Sequence, residues 1–123
     1  MNADQWVCDL YPTDPEAAAR DERKALVEQV QWSLVEQLLV AKNSVILDWG
    51  LWTRAERDHC RQRAGLLGAR TELIFLDQKL ETLHMRIASR NSERPPGTFH
   101  VSADELDEWA ALFEPPTPDE LRL

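Results

Sequence analysis

Cysteine is scarce in this chain. Cys8 and Cys60 are too few and too far apart for a disulfide framework or a metal-spacing motif, so reduced thiols are expected. Long apolar runs are missing too, and nothing approaches the roughly twenty residues of a membrane span. The opening MNADQW lacks the charged-then-apolar pattern of a secretion signal, which leaves the cytoplasm as the expected compartment and no membrane partner. Positive charge is also in short supply. Fourteen lysines and arginines face 22 acids, a net charge of −8, and such a field repels nucleic acid. No nucleic-acid partner is expected. Repeats, low-complexity stretches and an internal linker are all lacking, so residues 1–123 are read as one small domain.

The composition, 43% hydrophobic and 29% charged, suits a soluble globular protein with a single core. The charge is unevenly spread. Residues 1–53 carry nine acids and four bases, residues 54–94 six acids and nine bases, and residues 95–123 seven acids and one base. A basic island within an acidic chain suits a small anion such as a nucleotide or phosphate ester. The plainer expectation is that its arginines pair with the acidic flanks.

Several elements are legible from pattern alone. Asp14-Pro15-Glu16 marks a helix start, and Leu26, Val27, Val30, Leu34, Leu38 and Ala41 recur as an apolar helix face to about Lys42. Val45-Ile46-Leu47 is short and β-branched, which predicts a buried strand ending at Asp48. Thr53 and Glu56 form a capping-box pair for a helix that Gly65 and Gly68 close. Thr71 to Leu76 predicts a second buried strand, with Asp77 capping a helix whose inner face is Leu80, Leu83 and Ile87. The segment NSERPPGTF reads as a loop. Ser102 and Glu105 open a further helix through Leu106, Trp109 and Leu112 to about Phe113, and Thr117-Pro118 starts a last turn. This alternation predicts an α/β fold with a parallel sheet and right-handed crossovers. Two strands are few for such a sheet, which implies that a strand is missing or is supplied by another chain.

Asp48 sits where open α/β sheets bind ligands, beyond the carboxyl end of a strand. A turn-capping role at Trp49-Gly50 is the alternative. Arg86 and Arg90 share a helix face and, with Arg94, could clamp a polyphosphate by forked hydrogen bonds. A solvated face is the plainer reading. Arg54, Arg57 and Arg61 form a comparable stripe. Asp58-His59-Cys60 lies within a helix, where consecutive side chains diverge, so no metal site is read there. The five tryptophans are read as core or pocket wall.

Taken together, NADQW, VILDWGLWTRAER, GARTELIFLD, LHMRIASRN and PPGTFHVSADELDEWAALFEPPTPDE resemble the small P-loop kinases often labelled AAA-family ATPases or ATP-binding proteins. These are relatives of the zeta-toxin and chloramphenicol phosphotransferase group, and the similarity runs over nearly the whole chain. The resemblance implies ATP-dependent phosphoryl transfer to the hydroxyl of a small-molecule acceptor, with ATP and Mg²⁺ as cofactors, on a three-layer fold with a parallel sheet. It implies Asp4 as the base at the acceptor hydroxyl and Asp48 beside substrate and Mg²⁺. Arg54, with Trp49 and Trp52, would face the acceptor pocket, and Arg86 and Arg90 would neutralise the transferring phosphates. Such chemistry rests on positioning and charge stabilisation.

The departure is G-x-x-x-x-G-K-[ST], the phosphate-cradling loop of such kinases. The glycines are Gly50, Gly65, Gly68 and Gly97, and none precedes a lysine. The expectation is therefore a partial kinase-like domain whose N-terminal strand and phosphate-loop helix are missing through truncation or an internal start. Weak or no catalysis and self-association as a homodimer through bare strand edges are expected. The alternative is a degenerate, non-catalytic binding or interaction module on the same scaffold.

Overall fold

The computed structural model describes residues 1–11, 17–95, 98 and 100–121. They form five helices: α1 (Ala3–Leu10), α2 (Ala17–Val40), α3 (Arg54–Leu66), α4 (Leu80–Glu93) and α5 (Ala103–Leu112). The helix-start signal Asp14-Pro15-Glu16 lies outside the described residues. The chain divides into two compact units. One comprises Met1–Trp49 with Arg90–His100, the other Gly50–Ser89 with Val101–Leu123.

The expected parallel sheet is not there. Among the described residues there is no strand, only an isolated parallel bridge between Asn2 and Asp48. The stretches read as strands are extended but lack neighbours. The first, Val45 to Asp48, bonds to the start of the chain: the Met1 amino group donates to the Ile46 carbonyl at 2.6 Å and the Asp48 amide to the Met1 carbonyl at 2.7 Å. The second, Thr71 to Leu76, pairs with no other described segment. A strand needs a partner to satisfy its alternating amides and carbonyls. Without one, several of the apolar residues expected in a core stay in water, with Ile46 79% exposed, Ile74 73% and Leu76 83%. Val45, Leu47, Leu73 and Phe75 are half-buried, Phe75 stacked on Phe113 with centroids 5.7 Å apart.

In the first unit α1 packs on α2. Ala3, Val7 and Val27 form the core, with Trp6, Tyr11 and Trp49 against it. Asn2 caps α1 by accepting from the Gln5 amide at 3.1 Å. The buried face of α2 is not the one its leucines suggest. Leu26, Val30 and Leu34 are exposed, whereas Arg20, Val27, Gln31, Trp32 and Val35 are buried. Apolar residues are spread around this helix, so side-chain partners and not a single stripe choose the inward face. Its end is a left-handed cap. Lys42 has φ 67, its amide bonds to the Leu39 carbonyl and that of Asn43 to Leu38, the double closure usually built on glycine.

In the second unit α3 starts on Thr53, whose side chain accepts from the Glu56 amide. It runs to Leu66 and is closed by Gly68, with φ 78, as the sequence implies, whereas Gly65 lies within the helix. Helix α4 begins in this unit at Leu80, three residues beyond Asp77, so Asp77 does not open it, and its residues from Arg90 on belong to the first unit. It also runs through Asn91-Ser92-Glu93, the start of the segment whose sequence predicts a loop. Its inner face is thin, since no residue of α4 is fully buried. Helix α5 carries the complete Ser102–Glu105 capping box. Trp109 on α5 meets Trp52 at 5.3 Å. A final turn follows Thr117, whose carbonyl accepts from the Glu120 amide. Among the described residues no helix is long and apolar enough to cross a membrane.

Candidate functional site

In the first unit the two expected carboxylates are brought to the same end. Asp4 stands in the first turn of α1, where the positive helix end favours an acid. Asp48 closes the extended stretch bridged to Asn2, the residue that caps that helix. Asn2 also reaches Asp48 through its side chain, whose amide donates to Asp48 Oδ2 at 3.4 Å. Asp4 has one oxygen, Oδ1, buried without a hydrogen bond, with Lys24 Nζ 3.8 Å away. Two buried donors of this unit are likewise unused, Arg23 Nη1 and Arg90 Nε. The Arg23 guanidinium lies over the Tyr11 ring at 4.4 Å, a cation–π contact that holds it in place.

The arrangement has a hub that the sequence gives no reason to single out. Gln31 on α2 is completely buried. Its Nε2 donates to the Asn2 carbonyl at 3.1 Å, and its Oε1 accepts from the Trp49 indole at 2.9 Å. Trp49 also packs at 6.1 Å on Trp32. Asn2 was missed as well, although Asn2-x-x-Gln5 ahead of Ala3 and Val7 resembles a helix-start pattern.

The arginine stripe of α3 lies in the second unit and is taken up by acids of the C-terminal segment. Arg57 and Glu120 form a forked pair, Nε to Oε1 at 2.8 Å and Nη2 to Oε2 at 3.2 Å, with both side chains almost fully buried. Arg61 adds a bond to Glu120 at 2.9 Å, and the Thr117 amide another at 3.0 Å. Arg57 reaches on to the carbonyls of Leu51 and Trp52. Leu51 has φ 31, a left-handed conformation that a branched residue holds only under constraint. Arg54 bonds Asp58 at 3.2 Å, Thr117 Oγ1 at 2.7 Å and Asp119 at 3.0 Å. Thr117 and Arg61 make further short contacts to Asp119 and Asp58 respectively.

These contacts set the charges. The Arg57 guanidinium, with the Thr117 amide and Arg61, holds the Glu120 carboxyl down at about 2, against the opposing effect of burial. Hydrogen bonds from Thr117 and Arg54 lower Asp119, and bonds from Arg61 and Arg54 lower Asp58. Asp119 in turn raises Arg54. The expectation that these arginines pair with acidic flanks describes the cluster well. Arg54 therefore has its guanidinium engaged on several sides by its own chain. Trp52 lies in this second unit against Trp109, while Trp49 belongs to the first. Arg86 is exposed on α4, and Arg90, four residues on, is half-buried.

The residues present do not build a complete nucleotide site. G-x-x-x-x-G-K-[ST] does not occur in the 123 residues, so the ring of amides and the lysine that cradle phosphates have no counterpart. Among the described residues no group of three or more metal-ligating side chains comes together for a cation, and Asp48 alone is not a Mg²⁺ centre.

No curated protein and no solved structure matches the chain. A family model described as AAA domain matches residues 1–116, nearly its full length. Families of this type bind ATP with Mg²⁺. On that match, the chain belongs to the AAA-domain family of P-loop NTPase- and kinase-like proteins.

Proposed function

We propose that this is a kinase-like protein of the zeta-toxin and chloramphenicol phosphotransferase-like group, built for phosphoryl transfer to the hydroxyl of a small-molecule acceptor. These residues alone turn ATP over weakly or not at all. The observation that carries the reading is the pairing of Met1–Asn2 with Ile46–Asp48, which sets Asp4 and Asp48 at one end of the first unit. There Asp4 is suited to take the acceptor's hydroxyl proton, Asp48 to hold the acceptor, and Trp49 to wall its pocket. The unused Arg90 Nε is a donor available to an anionic group. No step through ATP is assigned, because the phosphate cradle is not among these residues.

Calorimetry with ATP–Mg²⁺ tests this. Binding weaker than about 1 mM is expected, and a micromolar Kd overturns the reading of a chain without its cradle. Any residual turnover should vanish in Asp4→Asn and in Asp48→Asn. Turnover unchanged in both would remove the carboxylates from the chemistry. A second reading, a non-catalytic interaction module that self-associates, is favoured by one observation: the extended stretches bearing Ile46, Ile74 and Leu76 lie open to solvent. Bare edges of this kind pair readily with a second copy.

A further inference from the structure

We propose that Gln31 is the positioning residue of the Asp4–Asp48 pair, a role that rests on the reading of those carboxylates given above. Its side chain closes a ring. Starting from Gln31, Nε2 donates to the Asn2 carbonyl, the Asn2 side chain reaches Asp48, the backbone passes to Trp49, and the Trp49 indole donates back to Gln31 Oε1. Asn2 lies two residues before Asp4, and Trp49 one residue after Asp48. One buried side chain thus grips the chain beside each carboxylate and fixes the register of the bridge between Asn2 and Asp48.

The chemistry of the ring demands an amide. The Asn2 carbonyl can only accept and the indole can only donate, so the side chain between them must donate at one end and accept at the other. Leucine or methionine fills the volume and does neither. An ionised glutamate still accepts from the indole but sets a second acceptor against the Asn2 carbonyl. A protonated glutamate restores both bonds, because its hydroxyl stands where the amide nitrogen was. Burial raises the pKa of such a glutamate above about 4.3, so the native ring should be present at low pH and lost as pH rises through that raised value.

This reversal distinguishes positioning from packing. The full chain, wild type and as Gln31→Met and Gln31→Glu, is compared by proton–nitrogen NMR, reading hydrogen exchange at the Trp49 indole and the Asp48 amide between pH 4.5 and 8. Wild type, which keeps the charged neighbours Asp4, Asp48 and Lys24, is the control at each pH. Gln31→Met should exchange at both sites about tenfold faster at every pH, the effect expected for one lost hydrogen bond. In Gln31→Glu the two sites should be native-like at the acid end and match Gln31→Met at pH 8. The inference is overturned if Gln31→Met leaves both sites protected, or if Gln31→Glu behaves alike at the two ends. Should Gln31→Met fail to fold, the pH comparison in Gln31→Glu still decides. No nucleotide is present in these measurements, so their outcome is separate from that of the ATP titration.

Discussion

Replacing Glu120 with glutamine keeps its shape and removes its charge, and the loss should fall on the whole second unit. Glu120 and Arg57 retain 1% and 2% of their side-chain exposure, so neither charge has water to fall back on. Breaking a buried pair of this kind by removing one partner costs about 3 kcal/mol. With a urea dependence of about 1.5 kcal/mol per molar for a chain this size, the unfolding midpoint should fall by about 2 M. Arg54→Ala should move it much less, because Arg54 is 40% exposed and water replaces what it loses. The pH dependence follows from the same pair. Glu120 titrates at about 2 in the folded chain against 4.5 unfolded. Its contribution is therefore complete above about 4.5 and is lost as pH falls towards about 2. Urea titrations by tryptophan fluorescence and circular dichroism at pH 7, 4.5 and 2.5 measure both effects. Glu120→Gln should flatten the acid limb as well as lower the midpoint at pH 7. A variant within about 0.5 kcal/mol of wild type at pH 7, with an unchanged acid limb, would refute the buried lock.

Lys42→Gly should stabilise the chain by about 1 kcal/mol, since glycine adopts the left-handed cap at φ 67 without the Cβ clash; a denaturation midpoint that falls instead would mean the lysine side chain contributes more than its backbone costs. Sedimentation at micromolar concentration should find a dimer or larger species, and Ile46→Lys with Leu76→Lys should return it to monomer. A wild-type monomer at the same concentration removes the self-association reading.

Most of what could be read from the sequence was local. Thr53, Gly68 and Ser102 bound their helices as written, because capping side chains and left-handed glycines act on backbone within a few residues. The apolar runs at 45–47 and 71–76 misled. A β-branched run signals extended backbone, but a sheet also needs a neighbour, and these two stretches find almost none among the described residues. The inner face of α2 was misread for a related reason: Leu26, Val30 and Leu34 are matched in number by the inward Val27, Trp32 and Val35, and the fully buried Gln31 lies among the inward residues.

The site divides along the same line. Asp48 is marked by its place beyond an apolar run and Asp4 only through resemblance, and both lie at one end of a unit, yet the side chains that hold them there leave no such mark. Gln31 meets Asn2 across 29 residues and Trp49 across 18, and Arg57 meets Glu120 across 63. Hydrophobic periodicity carries no record of such pairs, because a polar side chain facing inward breaks the pattern it is judged by. Its burial is offset when its donors and acceptors find partners, as the two ends of Gln31 and the forked Arg57–Glu120 pair do. The demand for a partner at each end makes these positions intolerant of substitution. The exposed leucines of α2, which dominate the sequence pattern, can change with far less consequence for the fold.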